Sequence, residues 1–332
     1  MPQSPFLKND ISKKSFLITG GSGFIGSNLV EFLVSHKAGH IRILDNLLTS
    51  SIDNIRPFLQ HSNVEFLEGD IRDAATCAKA CKDVDFVSHQ AALGSVPRSV
   101  KDPLTTHAIN STGFLNILVA ARDANVKRIV FASSSSVYGD HPALPKKEAD
   151  TGNPLSPYAV SKKTNELYAR VFADTYKMEI IGLRYFNVFG PNQSPDGPYA
   201  AVIPLFIQAV LDTKSPFIDG DGEQTRDFTF VENAVQANVL AMLTENKQAL
   251  NQIYNVAVGE RSSINQLYYL IADLCGSDLK PTYRETRAGD IKDSLADISK
   301  AKTNLGYAPT TQLAEGLKKT FEWFKKSAVN SN

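Results

Sequence analysis

Tyr158 and Lys162 stand four residues apart in the stretch Tyr-Ala-Val-Ser-Lys. Side chains with this spacing lie on one face of a helix, so a phenol and an ammonium can act on the same proton. A free tyrosine titrates at about pH 10, and a neighbouring cation favours the phenolate and lowers that pKa. Taken alone, the pair also fits a surface aromatic ring that packs over a lysine stem. Its chemistry therefore depends on what else the chain carries.

A glycine-rich turn lies far upstream of this pair. Gly20, Gly23 and Gly26 follow an apolar strand pattern and lead into a helical one. Glycines let the backbone approach a pyrophosphate closely, and the start of the helix offers N–H groups and partial positive charge to the phosphates. Ordinary tight turns also contain glycines, but the position between strand and helix favours a dinucleotide site. This site in turn favours the catalytic interpretation of Tyr158 and Lys162.

Asp45 ends the second strand pattern, 19 residues after Gly26. An acidic side chain at this place accepts hydrogen bonds from the adenosine ribose and repels a 2′-phosphate. No basic residue follows until Arg56, so an arginine clamp for NADP is not evident. The sequence therefore predicts NAD as the cofactor, against the alternative of a solvated aspartate in a turn.

Four consecutive serines, Ser133 to Ser136, follow another strand pattern. Hydroxyls in this place lie at the carboxyl end of the sheet, where ligands of open α/β sheets bind, so one of them can hydrogen-bond the reacting oxygen. Serines are also ordinary turn formers. The residues themselves do not decide which hydroxyl reaches the site.

Short runs of apolar and β-branched residues predict strands that are buried on both faces. They lie at 15–19, 41–44, 64–67, 86–88, 128–132 and 180–185, and helical patterns lie at 24–36, 104–124 and 158–176. This alternation predicts an α/β fold with a Rossmann-type, doubly wound parallel sheet.

A turn-rich stretch after Gly190 marks a change of pattern. Helices are predicted beyond it at 200–211, 232–244, 264–274 and 313–325, with strands at 228–231 and 253–256. We therefore expect an NAD-binding domain over residues 1–190, which holds the catalytic residues. A smaller mixed α/β domain over residues 191–332 should mainly bind the substrate, with room for strands or helices that return to the first domain.

The composition is that of an ordinary soluble globular protein. Its 35 positive and 35 negative side chains give no net charge, which argues against nucleic acid or a membrane surface as a partner. Residues 1–14 lack the apolar run of a signal peptide or membrane span. Three cysteines are too few to stabilise a chain of this length through disulfide bonds, so we expect a cytoplasmic protein. Because no histidine cluster accompanies Cys77 and Cys81, we expect no bound metal.

The chain resembles the extended short-chain dehydrogenase/reductases, and among them the nucleotide-sugar epimerase/dehydratase family, over nearly its whole length. The segments that carry the resemblance, in the family's order, are residues 20–26, 70–71, 91–92, 133–139, 158–162 and 184–190. The resemblance implies an NAD-dependent enzyme that acts on a nucleotide sugar.

By this resemblance, catalysis belongs to Ser134, Tyr158 and Lys162, with Ser135 as the alternative to Ser134. The residues implied to bind NAD are Gly20, Gly23, Phe24, Ile25, Gly26, Asp45, Asn46, Asp70, Ile71, Gln90, Ala91, Ala92, Asn110, Ser133, Tyr158, Lys162, Tyr185 and Val188. The residues implied to bind substrate are Gly94, Ser95, Ser134, Ser135, Tyr158, Asn187, Gln193, Ala200, Ala201, Val202, Arg226, Arg287, Asp290 and Ser294. Of these, Arg226 and Arg287 match the family's diphosphate-binding arginines, and the alternative for both is surface ion pairing.

Related dehydratases carry an Asp-Glu pair just after the catalytic hydroxyl, where this chain has Ser135 and Ser136. The resemblance therefore implies reversible 4-epimerisation of a UDP-sugar through a 4-keto intermediate and transient NADH. It is strongest to the bacterial UDP-N-acetylglucosamine 4-epimerases, for which residues 94–95, 199–204 and 294–300 are typical. Ser294 stands where epimerases restricted to unacetylated sugars carry a tyrosine, so it leaves room for an N-acetyl group.

The alternatives are a 4-epimerase of UDP-glucose and UDP-galactose or of UDP-uronic acids, a nucleotide-sugar dehydratase or decarboxylase, and a noncatalytic NAD-binding protein. The resemblance also implies a homodimer built through a four-helix bundle of the helices at 104–124 and 158–176. It further implies a role in supplying GalNAc units for a bacterial surface polysaccharide such as lipopolysaccharide.

Overall fold

The computed structural model describes residues 6–195, 200–286 and 292–330. Its strands are β1 Ser15–Thr19, β2 His40–Asp45, β3 Val64–Glu68, β4 Phe86–His89, β5 Arg128–Ser134, β6 Glu179–Tyr185, β7 Val188–Phe189, β8 Phe217–Asp219, β9 Thr225–Arg226, β10 Thr229–Phe230, β11 Ile253–Val256, β12 Ser262–Ser263 and β13 Thr282–Arg284. Its α-helices are α1 Phe24–Ser35, α2 Ala74–Cys81, α3 Val96–Lys101, α4 Pro103–His107, α5 Gly113–Asp123, α6 Pro157–Tyr176, α7 Val202–Leu211, α8 Val231–Leu243, α9 Ile264–Cys275, α10 Ser299–Leu305 and α11 Leu313–Asn330.

A parallel sheet of seven strands forms the centre of the fold, in the order β11-β6-β5-β4-β1-β2-β3. The inner strands are buried on both faces, as their short apolar runs predict: Phe16, Leu17 and Ile18 of β1 have no exposed surface. The edge strand β3, predicted to be buried in the same way, is only half-buried, because it has a neighbouring strand on one side alone. The direction of the strand order reverses between β1 and β4, and open α/β sheets bind ligands beyond the carboxyl ends at such a point. The predicted Rossmann-type α/β fold is confirmed.

Helix α6 carries Tyr158 and Lys162 in its first two turns. The hydroxyl of Ser156 caps this helix by accepting a hydrogen bond from the N–H of Ala159 at 3.1 Å. Pro157 occupies the first helical position, where the missing N–H costs nothing. The cap and the proline therefore fix where the helix begins, and with it the position of Tyr158.

The helix predicted over residues 104–124 is interrupted by a π-helical turn, Ala108–Thr112, between α4 and α5. A π turn takes in an extra residue and redirects the side chains within it. Here the amide of Asn110 donates to the carbonyl of Leu93 at 3.2 Å and to the Ser161 hydroxyl at 3.1 Å. Its Oδ1 accepts from the N–H of Leu93 at 2.8 Å. The π turn thus joins the loop after β4 to helix α6.

The chain after Gly190 contributes to two parts of the molecule. Strand β11 pairs in parallel with β6, and helix α8 lies against strands of the central sheet, so this stretch returns to the first half. Helices α7, α9 and α11 surround a separate apolar core that includes Phe206, Tyr268 and Leu317. This separate core is what the predicted smaller domain would be built around, and both the domain division and the assignment of ligands to the two halves stay predictions.

Candidate active site

A cavity of about 560 Å³ opens at the carboxyl ends of β1, β2, β4, β5 and β6. This volume is in the range of ligand sites. Its lining includes most of the residues predicted to bind cofactor or to act in catalysis: Gly20, Gly23, Phe24, Ile25, Gly26, Asp45, Asn46, Asp70, Ile71, Gln90, Ala91, Ala92, Ser133, Ser134, Ser135, Tyr158, Lys162, Tyr185 and Val188. Gly94, Asn187 and Gln193 of the predicted substrate set line it as well. The structure brings these residues together, and their individual roles stay predictions.

Gly20 and Gly26 have no space for a side chain. Gly20 has φ +66°, and a Cβ added there would lie 2.6 Å from the backbone nitrogen of Ala91, while a Cβ on Gly26 would lie 2.1 Å from the oxygen of Gly20. Helix α1 begins directly after the turn at Gly23, with no side-chain cap and no acidic residue in its first turn. Its first N–H groups and its positive end are thus offered to the cavity. The turn therefore fits the pyrophosphate of a dinucleotide.

Asp45 lies at the end of β2 and faces the same cavity. Its carboxylate accepts hydrogen bonds from the N–H of Ser22 at 3.0 Å and from the Ser50 hydroxyl at 3.1 Å, which hold it in place. Arg56 is ion-paired with Asp53 at 2.7 Å and is not part of the described lining. The site therefore fits NAD better than NADP.

Ser134, Tyr158 and Lys162 meet at the wall of the cavity. The hydroxyls of Ser134 and Tyr158 are within hydrogen-bonding reach of each other. The Nζ of Lys162 lies 5.9 Å from the centre of the Tyr158 ring and donates to the carbonyl of Ala132 at 2.8 Å. Since Ser134 is the serine bonded to the phenol, the geometry favours it over Ser135 as the serine at the reacting oxygen.

Burial governs the proton affinity of both basic groups. It raises the pKa of Tyr158 above the usual value, and the hydrogen bond from Ser134 lowers that pKa in part. It also lowers the pKa of Lys162 to about 8. In the polypeptide alone, desolvation of the phenolate therefore sets the direction of the Tyr158 pKa shift. The expectation that Lys162 and the nicotinamide ring together lower this pKa stays a prediction for the protein with bound NAD⁺. The positive nicotinamide ring is the other cation that we expect to favour the phenolate.

Tyr185 and Gln90, both predicted to contact the cofactor, belong to one hydrogen-bond network. The hydroxyl of Tyr185 donates to Oε1 of Gln90 at 3.0 Å and accepts from Nδ2 of Asn238 at 2.7 Å. The Oδ1 of Asn238 accepts from Nε2 of Gln90 at 2.9 Å. Sequence reasoning missed Asn238, which is fully buried on α8. An amide within a largely apolar helical run was the signal that could have found it, since buried polar groups need partners.

A second cavity of about 500 Å³ lies in the smaller domain and shares Asn187 with the first. Besides Asn187, its lining includes three further residues of the predicted substrate set, Ala200, Val202 and Arg226. Sequence reasoning did not single out Phe217 and Arg284, which also line it. The Arg284 guanidinium lies over the Phe217 ring at 5.3 Å and is ion-paired with Asp219. An aromatic face and guanidinium groups are suited to the base and phosphates of a nucleotide.

Four predicted residues lie outside the described lining of both cavities. Asn110 is buried and bonds Leu93 and Ser161, so it stands behind the wall and not on it. Ser95 uses its hydroxyl to cap α3, and Ala201 is the N-cap residue directly before α7.

The fourth is Ser294, whose N–H donates to the carbonyl of Thr225 at 3.1 Å, next to Arg226. It is therefore close to the predicted diphosphate arginine. Arg287 and Asp290 lie outside the described residues, as does Tyr199 of the segment 199–204.

Residues 16–257 match the model of the "NAD dependent epimerase/dehydratase family". The chain is also 40% identical over 313 residues to the "Putative UDP-glucose 4-epimerase" of Methanocaldococcus jannaschii, across 94% of this chain and 98% of that protein. The chain belongs to the NAD-dependent epimerase/dehydratase family. Membership confirms NAD as the cofactor and agrees with the glycine turn, Asp45 and the Tyr158–Lys162 pair.

Solved structures of this family show the same fold. The UDP-N-acetylglucosamine 4-epimerase from Methanobrevibacter ruminantium M1, in complex with UDP-N-acetylmuramic acid, has a TM-score of 0.89 and 41% identity, across 95% of this chain and 99% of that chain. The UDP-glucuronic acid 4-epimerase from Bacillus cereus, in complex with UDP-glucuronic acid and NAD, has a TM-score of 0.88 and 31% identity, across 94% and 99%. The predicted class, an NAD-dependent UDP-sugar 4-epimerase and thus an isomerase, agrees with the names of these relatives.

Two negative findings apply to residues 6–195, 200–286 and 292–330. No helix in these ranges is both long enough and apolar enough to span a bilayer. They also contain no group of three histidine, cysteine, aspartate or glutamate side chains that could hold a metal ion.

Proposed function

We propose that this family member is a UDP-N-acetylglucosamine 4-epimerase, which interconverts UDP-GlcNAc and UDP-GalNAc. The observation that carries this proposal is Ser294, whose backbone N–H bonds the carbonyl of Thr225, the residue before Arg226. By the family resemblance, a tyrosine at this position would fill space needed by an N-acetyl group. The likeness to the Methanobrevibacter ruminantium enzyme, whose name includes the acetylated sugar, supports it. The sugar is transformed at C4, next to Tyr158 and Ser134.

In this mechanism Tyr158, as the phenolate, takes the proton of the 4-hydroxyl. Ser134 is hydrogen-bonded to the same phenol and holds the reacting oxygen, and Lys162 supplies a positive charge on the same face of α6. Bound NAD⁺ would supply a reversible hydride acceptor for C4, and return of the hydride to the opposite face of that carbon would invert it without consuming cofactor. The 4-keto sugar rotates within the cavity and so presents the opposite face of C4. Tyr158 then gives its proton back to the new 4-hydroxyl.

Two further side chains fit a role in holding the sugar and the diphosphate. The Oε1 of Gln193 is buried at the first cavity without a hydrogen-bond partner in the described structure, so it can accept from a sugar hydroxyl. Arg226 lines the second cavity and donates to the carbonyls of Thr225 and Lys292 at 2.9 and 3.2 Å. These bonds hold the guanidinium in a fixed direction, as a bidentate phosphate contact requires.

A UDP-glucose 4-epimerase is the second candidate, because the relative from Methanocaldococcus jannaschii carries that name. The name of the Bacillus cereus enzyme supports UDP-glucuronic acid in the same way. Ser135 and Ser136 stand where dehydratases have an Asp-Glu pair, which disfavours loss of water. The Ser134, Tyr158 and Lys162 constellation disfavours a noncatalytic NAD-binding role.

We further propose a homodimer. Val100 of α3, Leu104 of α4 and Val160, Leu167 and Val171 of α6 are each more than half exposed. The three helices contact one another, so these apolar side chains share one region of the surface. Apolar patches of this kind mark protein interfaces. Sedimentation velocity of the wild type should show a dimer, and Leu104→Glu with Val171→Glu should show a monomer.

The cytoplasmic location and the supply of GalNAc units to a surface polysaccharide stay predictions at this level. The location rests on residues 1–14 and the three cysteines, whereas the supply of GalNAc units rests on the first proposal, since it needs UDP-GalNAc as the product.

The deciding experiment incubates the purified protein with UDP-GlcNAc and examines the product by NMR and mass spectrometry. Formation of UDP-GalNAc with unchanged mass is the expected result. Conversion of UDP-glucose but not of UDP-GlcNAc would agree with 4-epimerase activity but would refute the proposal that the substrate is the acetylated sugar. Loss of the mass of one water would instead indicate a dehydratase.

A further inference from the structure

A buried ion pair lies directly behind the three catalytic side chains. Arg184 of β6 and Glu166 of α6 form two parallel bonds, Nε to Oε1 and Nη2 to Oε2, each of 2.8 Å. The hydroxyl of Ser133 donates to the same Oε1 at 2.6 Å. Lys163 reaches only the edge of the pair, with Nζ 4.0 Å from Oε2. One carboxylate therefore joins α6, β5 and β6.

Each member of this cluster is linked to a catalytic residue by the backbone of the helix or sheet that carries it. Ser133 precedes Ser134 in the chain, and Glu166 follows Lys162 by one helical turn on the same face. In the register of the sheet, Ser133 pairs with Arg184. A shift of α6 along the sheet would therefore break the pair and move Tyr158 and Lys162 away from Ser134.

The pair does not touch the ligand region. Neither Glu166 nor Arg184 is in the described lining of the catalytic cavity, so neither can contact cofactor or sugar there. Arg184 is instead held by the carbonyl of Glu148 at 3.0 Å and lies over the Tyr138 ring at 4.7 Å. All of these contacts fix the direction of the guanidinium.

Stability alone gives little reason for such a pair. Removing two charges from water costs much of what their attraction returns, so a buried ion pair is weak evidence of stabilisation. The bidentate fork, in contrast, specifies both the distance and the angle between the two elements. The pair is therefore better suited to fixing the relative position of α6 and β6 than to stabilising the fold.

We propose that the Glu166–Arg184 pair is a positioning device, which sets helix α6 against the ends of β5 and β6 so that Ser134, Tyr158 and Lys162 act on one oxygen. This inference rests on the catalytic roles under the proposed function, but not on the identity of the sugar. Substrate contacts in the smaller domain are independent of it. Loss of the pair should therefore lower kcat and leave KM nearly unchanged.

The chain offers a matched control at the other end of the same two strands. Arg128 and Glu179 begin β5 and β6 and are joined by bonds of 2.9 and 2.7 Å. Arg128 is buried and Glu179 is the more exposed partner. Both Arg128 bonds reach one oxygen of Glu179, so Glu179→Gln removes an arginine–carboxylate ion pair between the same two strands without disturbing the cavity.

The experiment compares kcat, KM and the thermal midpoint of wild type, Glu166→Gln, Glu166→Asp and Glu179→Gln. The assay uses whichever of UDP-GlcNAc and UDP-glucose the wild type converts faster, so failure of the acetylated-sugar proposal leaves it valid. Misplacement by about 1 Å can cost about 100-fold in rate, so we expect a loss in kcat of about 10- to 100-fold in Glu166→Gln with KM changed less than about threefold. Glu179→Gln should keep kcat within about twofold.

Glu166→Asp separates the effect of geometry from that of charge, because it keeps the buried anion and shortens the side chain by one methylene. Since Arg184 keeps a charged partner, this variant should fold even where Glu166→Gln does not. It should lose at least about fivefold in kcat. Wild-type kcat in Glu166→Asp would overturn the proposal. So would equal kcat losses in Glu166→Gln and Glu179→Gln, since that would show a merely structural role.

Discussion

The carboxylate of Asp227 accepts a hydrogen bond from the backbone N–H of Ala296 at 3.2 Å. It also accepts from the N–H groups of Val258 and Gly259 at 3.0 and 3.1 Å. One buried side chain therefore ties the strand of Arg226 to two loops of the second half of the chain. Burial raises the pKa of Asp227 to about 6, although the three hydrogen bonds lower it.

We predict that Asp227→Asn changes how stability depends on pH. The folded state binds this proton more tightly than the unfolded state, since the pKa rises from 3.8 to about 6. This group therefore makes the wild type less stable as the pH rises from about 4 to about 6, by up to about 3 kcal/mol. Asparagine does not titrate, so the variant does not lose this stability. The free energy of unfolding of Asp227→Asn relative to that of the wild type should therefore rise as the pH goes from about 4 to about 6. Urea unfolding of both proteins at several pH values measures this difference. A difference that falls with rising pH would contradict the prediction.

A second prediction concerns the glycine turn. In Gly26→Ala the new methyl would lie 2.1 Å from the oxygen of Gly20, so the turn must open, whereas in Gly23→Ala the nearest atom is the same oxygen at 3.1 Å. We expect NAD affinity to fall by about 100-fold in Gly26→Ala and by less than about tenfold in Gly23→Ala. Calorimetric titration of NAD-free protein measures both values. Equal affinities in the two variants would show that the turn does not hold the pyrophosphate.

A third prediction tests the phenol. Tyr158→Phe removes the group that takes and returns the proton, so kcat should fall by about 10³-fold while bound NAD is retained. Tyr168→Phe on the exposed side of the same helix is the control, and its kcat should stay within about twofold of the wild type. A similar loss in both variants would assign the effect to the helix and not to the Tyr158 hydroxyl.

Local patterns predicted the seven strands of the central sheet, the longer helices and most of the cavity, but not short elements such as β8 and α10. Strands such as β1 and helices such as α6 are encoded in short stretches of sequence, and the ends of parallel strands necessarily meet at one edge of the sheet. Residues that end strands, such as Asp45, or begin α6, such as Tyr158, could therefore be assigned to one site from the sequence alone.

The remaining features depend on contacts between distant parts of the chain. Asn238 bonds Gln90, 148 residues away, and nothing near Asn238 in the sequence indicates that contact. The π turn at Asn110 likewise exists through bonds to Leu93 and Ser161. The rise in the pKa of Tyr158 in the polypeptide alone could not be predicted either, because it depends on burial, which spacing along the chain does not show.

The last prediction concerns the choice of sugar. Ser294 is held beside Arg226 by its bond to Thr225 at 3.1 Å, and Asp227 anchors the same segment at Ala296, so this segment has little freedom to move away from a larger side chain. Ser294→Tyr should therefore lower kcat/KM for UDP-GlcNAc by at least about tenfold, because a methylene-sized clash costs about 1–3 kcal/mol, and should leave UDP-glucose within about threefold. Ser294→Ala is the control, since it adds no volume and should keep both activities. Equal turnover of the two sugars by Ser294→Tyr would show that another residue discriminates at C2.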